Sequence, residues 1–357
     1  MKIGILTFHQ AENFGAILQT YALQTYLQKQ GYSVEVIDYR CKSIEVHYQI
    51  LNPSVLFIRK NVFISFQEYV ERFRNLRDRF VRKGKFKHFI KEYLVLSPAL
   101  NNIKKPLDYD IIIVGSDQVW NFYLNKGSEN IYLLDFPFNE KTRKIAYAAS
   151  SERNGLNRIS IDILKRCLCQ FDKISVRESF LQKILSSYTG KKIDICLDPT
   201  FLLDRKDYLN LLNVHIAKKY ILVYHMIPVP EVLPLVEKLS NEKGYDIIEI
   251  YGGYYSGRNS RIKSDWGPLD VLDLIANAEM VFTTSFHGLA LSVIMQKNVW
   301  VINRGENSRQ KNLLSMLGLS ARMISKIEDF HFENIDYKIV EERLKPVIAF
   351  SKDFLKL

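Results

Sequence analysis

The chain has 357 residues, a formal charge of +11 and an apolar fraction of 47%, an ordinary balance for a soluble globular protein with no low-complexity tract. Its length exceeds a comfortable single core and predicts two domains. No run approaches the roughly 20 apolar residues needed to span a bilayer. Cys41, Cys167, Cys169 and Cys196 form no CxxC pair, so they read as reduced thiols of a cytoplasmic protein.

The opening Met-Lys-Ile-Gly-Ile-Leu reads as a strand rather than a secretory leader. Residues 3–8 predict that strand, and a loop carrying Asn13-Phe14-Gly15 leads to a helix over 16–30 with Ile17, Leu18, Tyr21, Ala22 and Leu27 on its inner side. Gly31 closes the helix and residues 33–39 form a second strand, a βαβ start without GxGxxG. The positive excess then concentrates between Arg59 and Lys91, where Arg72, Arg74, Arg77, Arg79, Arg82, Lys83, Lys85 and Lys87 alternate with Phe63, Phe66, Tyr69, Phe73, Phe80, Phe86 and Phe89. A basic aromatic helix of this kind can rest on anionic lipid head groups. No nucleic-acid-binding signature accompanies it, and the alternative is a solvated hairpin whose aromatics pack on its own domain.

Residues 109–114 form an apolar strand running into Gly115-Ser-Asp-Gln-Val-Trp-Asn121. Asp117, Gln118 and Asn121 can grip sugar hydroxyls there and Trp120 can stack on a pyranose face; the competing reading is an Asx-type cap with a packed indole. Strands over 144–149 and 173–176 follow. The second ends in Arg177-Glu178, where a guanidinium can fork onto a carboxylate or phosphate, or simply pair with Glu178 or Glu152. A strand over 193–197 stops at Asp198-Pro199, and Asp198 reads as structural.

Residues 202–219 are polar and mark the domain boundary. The α/β rhythm then restarts, with strands over 220–226 and 246–251 and a Gly-Gly-Tyr-Tyr-Ser-Gly loop. The central stretch runs from Glu279 to Ser292: a buried strand over 281–283, the turn Thr-Thr-Ser-Phe-His-Gly, and a helix with Leu289, Ala290, Val293 and Ile294 on one face. Ser285 can cap that helix, Gly288 allows a ligand close to the backbone, and His287 stands over a helix N-terminus suited to an anion. A strand over 298–303, Arg304 through Arg309, and an amphipathic tail over 340–357 complete the chain. The reading is an α/β fold of two Rossmann-like domains facing across a cleft. Residues 1–210 make the acceptor side, with a basic helical insertion at 55–105. Residues 211–335 make the donor side, and a helix over 336–357 is placed to cross back.

With these pieces assembled, the chain resembles the polysaccharide pyruvyl transferase family. The carrying residues are Thr7-Phe8, Asn13-Phe14-Gly15-Ala16, Ile113 through Asn121, Tyr147 through Ser150, Ser175 through Glu178, Leu197 through Thr200, and Ser285 through Gly288. The resemblance implies a glycosyltransferase-B-like fold, phosphoenolpyruvate as donor, and a sugar of a surface glycan or its lipid-linked precursor as acceptor. It associates Arg177 and His287 with the donor. Some members carry arginine two residues before that histidine, where this chain has Ser285; of Arg304, Arg309 and Arg258, Arg309 is the expected substitute.

His287 is expected to be the general acid or phosphate proton donor, with Arg177 and Arg309 clamping the anion and Ser285 and Gly288 contributing to the donor site. Asp117 is expected to be a base or hydroxyl anchor, with Asn13, Gln118, Trp120 and Asn121 on the acceptor. No cofactor and no obligatory metal are expected, nor a nucleic-acid partner; the location is cytoplasmic, with a peripheral membrane contact through 59–91. Two other readings stay open: a nucleotide-sugar-dependent transferase, and a non-catalytic glycan-binding protein on the same fold.

Overall fold

The computed structural model describes residues 1–48, 76–212, 218–227, 229–252, 262–263, 265–305 and 308–357. Much of the basic segment, including Arg59, Arg72 and Arg74, lies outside these residues, as do Arg258 and most of the glycine-tyrosine loop. Short apolar runs in each half become strands. In the first half they are β1 (Lys2–Leu6), β2 (Ser33–Val36), β3 (Ile111–Val114), β4 (Arg143–Ala149), β5 (Lys173–Val176) and β6 (Asp194–Ile195). They form a parallel sheet in the order β2-β1-β3-β4-β5-β6, with Ile5 paired to both Val36 and Ile113. In the second half β7 (Tyr220–His225), β8 (Asp246–Tyr251), β9 (Ile262–Lys263), β10 (Met280–Thr283), β11 (Asn298–Ile302) and β12 (Met323–Ile324) run parallel in the order β12-β11-β10-β7-β8-β9.

Helices cover both faces of a parallel sheet, which is why the central strands are continuous apolar runs rather than alternating ones. All four residues of β3 are fully buried, and cutting such an isoleucine to alanine costs about 2–5 kcal/mol. Strand order reverses between β1 and β3 in one sheet and between β7 and β10 in the other, and ligands bind beyond the carboxyl ends of strands at such points. The loops leaving these ends carry Asn13 and Asp117 from the first lobe and Ser285 and His287 from the second.

The helices that build the site are α1 (Phe14–Lys29), α2 (Leu76–Tyr93), α3 (Ser179–Thr189), α4 (Pro268–Asn277), α5 (Phe286–Ile294), α6 (Ser308–Leu317) and α7 (Tyr337–Phe354). The sequence pattern gives α1 and α5 one inner face each, but both are buried almost all round. The reason is mutual: α1 packs on its own sheet and also against α4 and α5 of the other lobe. Its polar Gln19 and Thr20 are therefore buried, and Gln19 Nε2 donates to Thr7 Oγ1 while Thr20 Oγ1 donates to the Ala16 carbonyl.

The described part of the basic segment is not a uniformly solvated face. Arg79 and Arg82 are buried, as are Phe86 and Phe89. Arg82 lies over the Phe14 ring at 4.3 Å and its Nη2 donates to the carbonyls of Glu12 (2.9 Å) and Gly252 (2.7 Å), tying one lobe to the other through α2. At the far end, α7 lies against the first lobe: Leu197 N donates to Ser351 Oγ at 3.0 Å and Phe354 meets Tyr147. Among the described residues no helix is long and apolar enough to cross a membrane.

Candidate active site

The site is assembled around a buried carboxylate. After β6 the chain stays extended to Asp198, then Pro199 starts a single 3₁₀ turn, Pro199–Leu202, which Asp198 caps. Its Oδ1 accepts from Thr200 N (3.0 Å) and Thr200 Oγ1 (2.8 Å). Its Oδ2 faces two side chains of different lobes: Arg177 Nη1 donates at 2.5 Å, and His287 Nε2 stands 3.4 Å away. Burial pushes the Asp198 carboxyl up, but the charges of His287 and Arg177 and the hydrogen bonds it accepts override this and hold it well below the usual carboxylate range. Asp198 is thus ionised, and it anchors both groups.

Arg177 leaves β5 with its guanidinium 4.9 Å from the Phe286 ring and its Nη2 3.5 Å from Asp117 Oδ1. It pairs with these aspartates and not with the neighbouring Glu178 or Glu152. A second guanidinium, Arg309 at the start of α6, comes beside it. Burial first, and the like charge of Arg177 next, hold Arg309 below its usual range, although an arginine stays protonated. Its hydrogen-bond partner is the Gln118 amide, which in the orientation that satisfies the network accepts from Nη1 and Nη2 at 3.1 Å each. Among the described residues no carboxylate is in ion-pair contact with Arg309. Arg177, Asp198, Phe286 and Arg309 line a cavity of about 330 Å³, completed by apolar residues of α6 such as Leu313 and Met316.

Beneath Arg177 a further acid is enclosed. Glu178 is fully buried; its Oε1 accepts from Ser150 Oγ at 2.5 Å and its Oε2 has no hydrogen-bond partner. Burial raises its carboxyl above the ordinary value, against the opposing pull of Arg177, Ser150 and Arg309.

His287 sits in the first turn of α5, one residue behind Phe286, and it does not line the cavity wall. Its ring is pressed onto the first lobe at the mouth of α1: a Cβ on Gly15 would lie 2.0 Å from His287 Nδ1. Ser285 caps α5, accepting from Gly288 N at 3.1 Å. Gly288 is required by its own helix–sheet packing rather than by a ligand, since a Cβ there would meet Thr283 Oγ1 at 2.4 Å and Tyr224 Cδ1 at 2.8 Å. Asn13 caps α1, accepting from Gly15 N and Ala16 N.

The acceptor expectations fare differently. Trp120 is fully buried, its indole N–H donates to the Tyr132 carbonyl at 3.1 Å, and its ring meets Phe171 edge-on. It is a core residue with no face free for a sugar. Asn121 is buried against the Gln118 amide at 2.8 Å. Arg304 pairs with Glu231 at the surface, away from the site. The sequence reading missed Asp198, taken as a strand stop, and Glu178 and Gly15, for which only the three-dimensional contacts give a role.

Two six-stranded parallel sheets with a site at their facing carboxyl ends define a glycosyltransferase-B-like α/β protein. The chain is similar to UDP-GlcNAc 2-epimerase from Neisseria meningitidis, a structure bound to UDP-GlcNAc, at 8% identity and a TM-score of 0.51, covering 100% of this chain and 93% of that one. It is also similar to the E. coli heptosyltransferase WaaC with ADP, at 10% identity and a TM-score of 0.41, covering 97% and 100%. At these identities the likeness is one of fold. Among curated proteins nothing matches. The profile of the polysaccharide pyruvyl transferase family matches residues 13–306. The chain belongs to that family.

Proposed function

We propose that the protein transfers the pyruvyl group of phosphoenolpyruvate to a sugar of a surface polysaccharide or its precursor as a ketal, releasing phosphate. The observation that carries this reading is a pair of guanidinia on one cavity, Arg177, which is buried, and beside it Arg309, which is half-buried, hydrogen-bonded to an amide and in no ion-pair contact among the described residues. Two like charges side by side repel unless an anion lies between them, so this arrangement favours a bound anion. A carboxylate and a phosphate on three carbons suit two converging guanidinia.

The reaction adds a sugar hydroxyl to C2 of the enol while a proton reaches the methylene carbon; phosphate then leaves C2 and a second hydroxyl closes the ring, releasing a proton. His287 is assigned as the proton donor, to the methylene or to the departing phosphate, because histidine titrates near neutrality. Its ring is steadied by Asp198 on one side and Gly15 on the other. Asp117 is assigned as the base or anchor for an acceptor hydroxyl. Thermal shift separates this reading from a nucleotide-sugar transferase. Phosphoenolpyruvate raises the melting temperature if the proposal holds, whereas stabilisation by a nucleotide diphosphate alone overturns it. The exposed side of α2 carries Arg77, Phe80, Lys87 and Lys91, which supports a peripheral contact with anionic membrane at the cytoplasmic face.

A further inference from the structure

With Trp120 and Asn121 committed inside the first lobe and Gln118 committed to Arg309, the acceptor needs a different wall. The first lobe has one at the carboxyl ends of β1 and β2, where a cavity of about 310 Å³ is bounded by Gln10, Glu12, Arg40, Glu45 and Tyr48, with Phe86 of α2 among the residues closing it. Its polar rim is fixed from behind. Asp38, buried below it, accepts from Gln10 Nε2 (3.0 Å) and Arg40 Nη2 (2.8 Å), and it is itself held at 2.9 Å by His9 Nε2. Burial raises the Asp38 carboxyl, and its bond to His9 and the charges of His9 and Arg40 more than reverse that. The cavity adjoins the reacting groups: Tyr48 on its wall lies within the field of Asp117 and Arg82.

We infer that this cavity is the subsite for the acceptor sugar, a conclusion that rests on the pyruvyl-transfer reading for its role but on its own geometry for its ligand class. The lining decides between a sugar and a second anion. Carboxylates at Glu12 and Glu45 face it together with Arg40 and two lysines, so acceptors and donors of both charges share the wall, unlike the paired guanidinia of the first cavity. Vicinal hydroxyls each donate and accept, and they are met by planar groups of both kinds, which carboxylates, guanidinium and amide supply. Ile90 of α2, half-buried, adds an apolar surface to the wall. Arg40 and Gln10 are already oriented by one carboxylate, so little ordering remains for the ligand to impose.

The test uses the whole protein on an array of bacterial surface-polysaccharide fragments, with phosphoenolpyruvate-induced thermal shift measured in parallel. Wild type is expected to be retained on at least one fragment, and Gln10→Ala and Arg40→Ala to lose at least tenfold of that signal while keeping the donor-induced shift. Arg309→Ala should do the reverse. If Arg40→Ala does not fold, Glu45→Gln, at a half-exposed side chain, replaces it with the same expectation. An empty array with the donor shift intact overturns the subsite, as does retention unchanged in the cavity variants. A missing donor shift, with retention still lost in Gln10→Ala, instead sinks pyruvyl transfer and leaves the sugar subsite standing.

Discussion

Two buried aspartates, Asp198 and Asp38, do the same thing at two edges of one sheet with different results. Each sits beyond the end of a strand, each is nearly inaccessible, and each fixes an arginine and a histidine. Around Asp198 the arginine side chain is only 3% exposed and a second guanidinium, in no ion-pair contact among the described residues, stands next to it. Around Asp38 the arginine is 36% exposed and shares its cavity with carboxylates. One anchor therefore brings two guanidinia together on a cavity with apolar walls, and the other holds its arginine on a rim of mixed charge. What a site binds is decided by the charge left over after the anchor is satisfied, more than by the anchor.

The contrast can be broken most severely at His287. His287→Ala is expected to lower phosphate release from phosphoenolpyruvate in the presence of acceptor by about 10²–10⁴-fold; unchanged turnover would remove the imidazole from the chemistry. Arg177→Ala should act on both fold and donor. It leaves the buried Asp198 with one cation fewer, a loss of about 3–5 kcal/mol in denaturant unfolding, and it should raise the donor KM strongly. If only acceptor binding weakened, the clamp assignment would be wrong.

Arg309→Ala separates binding from stability. Donor kcat/KM should fall about 10–100-fold, from a charge-assisted bond of ~1.5–3 kcal/mol, yet the melting temperature without ligand should change little, because Arg309 makes no ion-pair contact among the described residues and loses only an amide partner and repulsion from Arg177 against its longer-range pull on Glu178. A large loss of stability would show that Arg309 has a structural counterion.

The smallest effect is the most diagnostic of sign. Asp198 is held low, so its contribution to stability is complete above the ordinary aspartate range and is lost as pH falls below it. Glu178 is held high, so the folded protein is penalised as pH rises through and above its ordinary value of 4.5. Glu178→Gln should therefore raise the melting temperature at pH 8 and leave it unchanged near pH 4. A gain that is equal at both values would refute the buried-acid account.

Much of the frame was legible because parallel strands announce themselves: Ile111–Val114 and Met280–Thr283 are buried on both faces and carry no polar interruption. The Arg177 and His287 turns were legible too, since each lies between a strand and a helix. Three things were not. The all-round burial of α1 and α5 depends on the opposite lobe, and no local period encodes a partner more than 200 residues away. Trp120 stands in a run of polar residues, but its environment is made by Tyr132 and Phe171, so its setting looks open in sequence and is closed in space. Asp198 before proline has the appearance of punctuation; its importance comes from Oδ2 meeting His287, which the other lobe supplies from 89 residues further along the chain.

That last contact has a counterpart across the cleft. Gly15 leaves room for the imidazole only because it has no side chain, and even a methyl group at that position would collide with Nδ1. Gly15→Ala would act as a doorstop between two otherwise intact lobes. The imidazole is carried by one lobe and its seat by the other, so both lobes are needed to place it. The fit between α5 and the mouth of α1 is thus part of the site itself, and a shift of one lobe against the other would carry the imidazole away from Asp198 before a single bond within either sheet was lost.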